Sequence, residues 1–232
     1  RSGIYRKKDN QVGLGVLGLS NLLAIEDVTY SSFVAALRRR NLGVQPAEIT
    51  MADAIASAIY SGMQQAAEVA EKYKMTRAFT VAPTATCSYR YVDREGYTTT
   101  PEIAPPISRE VDRDSSTLGV HSYKYHPKCE IAQEVGWDTF FELNCEWQVM
   151  MDKTKKAHAI SMNWWSDLVK FDRQFMSRWL NSPLKSLYYS LQVMPDTQDK
   201  TNVYAAISET DVDDYLSEIL TEDNKVTCDC AE

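Results

Sequence analysis

Residues 51–74 constrain this chain most. The stretch is alanine-rich, and Met63, Ala66, Val69, Ala70 and Tyr73 recur at helical spacing. That pattern predicts one long helix packed along one side against the rest of the chain. Thr50 stands where an N-cap belongs. Asp53, at the third helical position, completes a variant capping box.

Other helices are predicted around it. Residues 30–40 are amphipathic and end in Arg38-Arg39-Arg40, a basic last turn that suits the helix dipole, before the stop Asn41-Leu42-Gly43. Residues 127–153 read as a second long helix. Ile131, Val135, Trp137, Phe140, Phe141, Leu143, Trp147 and Met150 give it a broad apolar surface, which makes Cys145 a core or groove residue. Residues 168–180 form a further helix, closed by Asn181-Ser182-Pro183.

Short strands are expected between the helices. Phe79-Thr80-Val81-Ala82 is one, residues 88–96 read as strand then turn, residues 107–113 alternate moderately, and residues 158–165 are extended or loop-like. Residues 11–24, QVGLGVLGLSNLLA, contain the spacing Gly13, Gly15, Gly18. A dinucleotide fingerprint needs a buried strand in front of it. The upstream residues are basic and polar, so the run is read as a helix whose glycines permit close packing.

Composition excludes several classes. At 232 residues, 44% hydrophobic and 25% charged, the chain can bury a large core, as one big domain or two small ones. A net charge of −7 argues against a nucleic-acid surface. There is no 18-residue apolar run to cross a membrane. Five cysteines without a CxxC pair do not make a disulfide framework and point to a reducing cytoplasm. The first residue is Arg1, from which a removed tag, processing or a fragment is expected.

Four groups of residues carry candidate chemistry. Pro83-Thr84-Ala85-Thr86-Cys87-Ser88 follows a strand and offers hydroxyls, a thiol and backbone amides, either to an anion or to its own turn. Glu102 lies in a segment made rigid by Pro101, Pro105 and Pro106. Tyr188 and Tyr189 are adjacent in residues 185–191, a strand candidate, where they would face opposite ways. Cys228 and Cys230 close an acidic tail, residues 209–232, where flexible thiols can exchange disulfides. His121, His126 and Cys129 are loosely spaced like metal ligands but lack a fourth, so no metal site is expected.

The order of these pieces, over residues 10–232, resembles the C-terminal third of the large catalytic subunit of class I ribonucleotide reductase. Residues 13–24 resemble its glycine-rich segment. Ala82-Pro83-Thr84-Ala85-Thr86-Cys87-Ser88 resembles its phosphate loop, and Glu102-Ile103-Ala104-Pro105-Pro106 the Glu-Pro segment beyond. Leu187-Tyr188-Tyr189 resembles its tyrosine strand, and Cys228 with Cys230 its redox tail.

The resemblance implies an α/β fold, the helix-rich C-terminal part of a ten-stranded α/β barrel in residues 1–208, followed by the tail. It implies that residues 83–88 hold the phosphates of a ribonucleoside diphosphate. Tyr188 and Tyr189 would relay a radical from a small subunit that carries the radical and metal centre, with no cofactor bound directly here. Cys228 and Cys230 would be re-reduced by thioredoxin or glutaredoxin. The family's radical cysteine lies in Asn-x-Cys-x-Glu, upstream of the glycine-rich segment. Asn144-Cys145-Glu146 lacks the spacers and lies downstream, so it is not that site. The chain is therefore expected to be inactive alone. It would be one piece of a split, phage-type subunit or a fragment, working in the (host) cytoplasm with an N-terminal piece. A phosphate- or nucleotide-binding module, or an assembly subunit without redox catalysis, is the alternative.

Overall fold

The computed structural model describes residues 10–82, 84–115, 119–160 and 173–185. Pro83, Tyr188, Tyr189, Cys228 and Cys230 lie outside them, as do residues 209–232. The described residues form a mixed α/β structure. Strand β1 is Gln11–Leu14, followed by helices α1 (Leu19–Ile25), α2 (Tyr30–Leu42) and α3 (Met51–Lys72). Next come β2 (Arg77–Val81), the short α4 (Ala85–Ser88), and strands β3 (Glu110–Ser115) and β4 (Gly119–Lys124). The described chain finishes with α5 (Ala132–Val135), α6 (Trp137–Asp152), β5 (Ala157–Ile160) and α7 (Arg173–Leu180).

Two sheets result. One is parallel, in the order β1-β2-β5, with Leu14 opposite Phe79 and Val81 opposite Ile160. The other is the antiparallel β3–β4 hairpin. Strands joined in parallel need long crossovers, and α1 to α3 supply the first one. No barrel is closed among the described residues.

The expected caps are present. The Thr50 hydroxyl accepts the Asp53 N–H at 3.2 Å, while Asp53 Oδ2 accepts the Thr50 N–H at 3.1 Å. Gly43 ends α2 in the left-handed region at φ +70°, a conformation cheap only for glycine. Helices α2 and α6 pack together, and α2 also packs on α3. Phe33, Leu37, Phe140, Leu143, Trp147, Met150 and Met151 are almost wholly buried there. Each large apolar side chain in such a core is worth roughly 1.5–3 kcal/mol.

Three expectations are corrected. Residues 11–14 are a strand and not the start of a helix. A Cβ on Gly13 would stand 2.7 Å from Thr80 Cγ2, and one on Gly15 3.1 Å from the Thr80 carbonyl oxygen. The glycines permit a close approach, as proposed, but of strand to strand. Residues 127–153 are not one helix, because Gly136, at φ +75° and ψ 157°, separates α5 from α6. Residues 88–96 contain no strand. Asp93 Oδ1 instead accepts the N–H groups of Glu95 and Tyr97, and Val92 bridges Thr98. Strand β4 was not foreseen. It pairs with β3, and Tyr123 on it stacks on Tyr89 with ring centroids 4.2 Å apart.

Candidate functional site

Because β1, β2 and β5 run parallel, their carboxyl ends share one edge of the sheet. That edge is where loops of open α/β sheets form binding crevices. Three segments meet there: the glycine turn of residues 15–18, the loop that follows Val81, and the proline-rich stretch around Glu102.

Glu102 joins the other two. Its Oε1 accepts the Ala82 N–H at 2.6 Å, just ahead of the loop. A Cβ on Gly15 would come within 3.4 Å of the same oxygen. The Glu102 carbonyl accepts the Leu19 N–H at 3.1 Å, and the Thr100 carbonyl accepts the Gly18 N–H at 2.9 Å. Glu102 is buried at 6% exposure. Burial pushes its carboxyl up to about 7, against a partial offset from the Ala82 amide.

The loop after Val81 is held from behind. The Thr99 hydroxyl donates to the Ser88 carbonyl at 2.8 Å, and the Ser88 N–H donates to the Thr84 carbonyl at 2.9 Å. That last bond closes a single helical turn, and amides in a first turn have no carbonyl of their own helix to reach. Thr84 Oγ1 is buried with no hydrogen-bond partner among the described residues. A buried hydroxyl in that state calls for an explanation, and a ligand oxygen is one. Cys87 presents an exposed thiol in the same turn. The arrangement can offer amides and hydroxyls to an anion, beside a carboxyl that can hold or release a proton near neutrality.

Of the residues singled out from sequence, the structure brings Thr84, Cys87, Ser88 and Glu102 to this edge. Asn21 was missed. Its Nδ2 donates to Asp93 Oδ2 and to the Thr98 carbonyl, and its Oδ1 accepts the Thr100 N–H. A lone amide in the apolar run of residues 12–24 was the available signal. The Ala82 amide left no signal at all.

Asn144, Cys145, Glu146, His126 and Cys129 lie in structural settings. Asn144 donates to the Phe140 carbonyl, Glu146 binds Arg38 and Asn41, and burial pushes the Cys145 thiol up to about 11. His126 Nδ1 accepts the Lys128 N–H at 3.1 Å, which puts the ring proton on Nε2, facing Glu95 at 3.0 Å. Cys129 is buried, and burial raises its thiol. Among the described residues, no three His, Cys, Asp or Glu side chains are grouped to hold a metal ion, and no helix is long and apolar enough to cross a membrane.

No protein-family model matches the sequence, and no curated protein matches it.

Proposed function

We propose that this chain is part of the catalytic subunit of a cytoplasmic ribonucleoside-diphosphate reductase, to which it supplies the substrate phosphate loop and a tyrosine radical relay. The observation that carries this reading is the convergence of the glycine turn, the loop containing Thr84–Ser88 and buried Glu102 at one carboxyl edge. Diphosphate oxygens would take the amides and hydroxyls of residues 83–88, with the Thr84 hydroxyl among the donors. Tyr188 and Tyr189 would each lose a proton and an electron together, passing the hole from a radical-bearing small subunit toward a thiyl cysteine on another polypeptide. That thiyl would take the ribose 3′ hydrogen. A cysteine pair would then reduce C2′ with release of water. Cys228 and Cys230 would re-reduce that pair, drawing electrons from thioredoxin or glutaredoxin. The metal centre belongs to the small subunit in this scheme.

A second reading, phosphate or nucleotide binding without redox chemistry, is favoured by one observation. The described residues gather the Thr84–Ser88 turn beside Glu102, which is tied to Ala82, and such a cluster would suit an anion without any redox partner. Reconstitution separates the two. The chain is mixed with an N-terminal piece carrying Asn-x-Cys-x-Glu, a radical-bearing small subunit, a reductant and a ribonucleoside diphosphate. Deoxynucleotide formation that disappears in Tyr188→Phe and in Tyr189→Phe supports the relay, since phenylalanine has no proton to lose with its electron. Full activity in both variants leaves the binding reading alone.

A further inference from the structure

Glu102 sits where a non-glycine residue rarely sits, at φ +45°. Such positions cost roughly 1–3 kcal/mol and persist only when the surroundings enforce them. Here the Leu19 N–H holds the Glu102 carbonyl and the Ala82 N–H holds its carboxyl, so both halves of the residue are fixed. The carboxyl is buried, yet among the described residues no lysine, arginine or histidine is paired with it. A fold that needed only an acceptor for one amide could use a neutral side chain or a carbonyl.

We propose that Glu102 is a positioning residue for the phosphate loop, and that its carboxyl takes up a proton when an anion binds there. This rests on the reading of residues 83–88 as a phosphate loop. Ala82 stands two residues before Thr84, so a phosphate held at the Thr84 end of the loop lies on the order of 10 Å from the carboxyl. Two negative charges that close in a half-buried site repel each other. The bound anion therefore favours the neutral carboxyl, and by reciprocity the proton favours the anion.

The groups facing Glu102 leave it as the one poised to respond. Residues 11–25, which include β1, the glycine turn and α1, contain no titratable side chain. On β2, Arg77 stands at the opposite end beside His158. From α2, the Tyr30 hydroxyl donates to the Ile103 carbonyl, and burial holds that phenol well above its usual range. The Tyr30 N–H is taken by Glu130. Asp93 is bound to Asn21. Cys87 of the loop is exposed. The burial that lifts the Glu102 carboxyl to about 7 puts its proton in the range where this exchange operates.

The test uses the full chain, wild type and Glu102→Gln, with two probes. ADP reports on the phosphate loop. Sulfate, whose charge is constant between pH 6 and 8, reports on Glu102. In wild type, the Kd for sulfate should rise roughly three- to tenfold from pH 6 to pH 8. In Glu102→Gln it should stay flat and be tighter than wild type at pH 8 by the same factor. Without ligand, the Ala82 amide resonance should titrate with a midpoint of about 7 in wild type and not in the variant. Sulfate binding with one pH profile in both proteins, or an Ala82 resonance that is flat from pH 6 to 8 in wild type, overturns the proposal. If neither probe binds wild type at pH 6, the phosphate-loop reading falls and the anion coupling falls with it. The Ala82 titration then still decides whether Glu102 carries the proton.

Discussion

The side-chain oxygen of Asn21 accepts the backbone N–H of Thr100 at 2.8 Å across 79 residues of sequence, and both residues are almost wholly buried. This bond fastens α1 to the segment that carries Glu102. The same amide spends its donors on Thr98 and Asp93, so one side chain satisfies groups from three positions. Asn21→Ala would strand the Thr100 N–H and the Thr98 carbonyl inside the protein. At about 1–3 kcal/mol for each unsatisfied buried group, the expected loss is roughly 2–6 kcal/mol. Urea unfolding followed by far-UV circular dichroism measures it. A loss under about 1 kcal/mol would mean that water enters and takes over these bonds.

Glu102 makes stability depend on pH. Its folded value of about 7 lies above the ordinary value of 4.5. A carboxyl raised on folding contributes most when both states are protonated, and its contribution falls as pH rises from about 4.5 to about 7. Glu102→Gln should therefore match wild type near pH 4 and exceed it by roughly 3 kcal/mol at pH 8. Unfolding midpoints at both pH values check this. Equal gains at both would assign the effect to packing.

Asp53 should act at the acid end. Burial alone would raise its carboxyl, but the bonds from Thr50 and Arg39 outweigh that and leave it below its usual value. A depressed carboxyl contributes stability above its unfolded value, and that stability is lost as pH falls through the folded one. Asp53→Asn should cost roughly 1–2 kcal/mol at pH 7, by weakening the capping box and the Arg39 pair. It should also flatten the stability profile below about pH 4. Thermal melts at pH 7 and pH 3 compare the two proteins. A variant that keeps the wild-type acid slope removes Asp53 as its source.

Two glycines should respond in opposite directions. A Cβ at either Gly136 or Gly62 would meet nothing within 4 Å, so packing is not at issue at either position. Gly136 holds φ +75° and ψ 157°, nearly a glycine-only conformation, so Gly136→Ala should cost roughly 1–3 kcal/mol. Gly62 lies inside α3, where alanine is the better helix former, so Gly62→Ala should gain roughly 0.5–1 kcal/mol. Chemical denaturation of both variants is sufficient, and matching signs would contradict the backbone argument.

What could be read from sequence was local. The caps at Thr50 and Gly43, the bounds of α2 and α3, the strand at Phe79 and the irregular proline segment each depend on neighbours a few residues away. Side-chain periodicity and cap chemistry act over one or two helical turns, and a sequence displays them directly. The loop containing Thr84–Ser88 was legible as a candidate for the same reason, since its hydroxyls and amides are contiguous.

Tertiary structure decided the rest, because the deciding contacts join distant residues. Gln11–Leu14 is a strand because β2 offers it backbone partners and Thr80 leaves room only for glycine. The break at Gly136 overrides a periodic apolar pattern that runs through it without interruption. Glu102 could be named from its proline setting, but its burial, its bond to Ala82 and its raised proton affinity exist only once β1, β2 and residues 98–102 have come together. Sequence alone determined which residues, Thr84–Ser88 and Glu102, carry the side chains and backbone groups of the candidate site. The parallel pairing of β1, β2 and β5 decided that they meet at one edge, because a strand's direction and register are set by hydrogen bonds to partners far away in the chain.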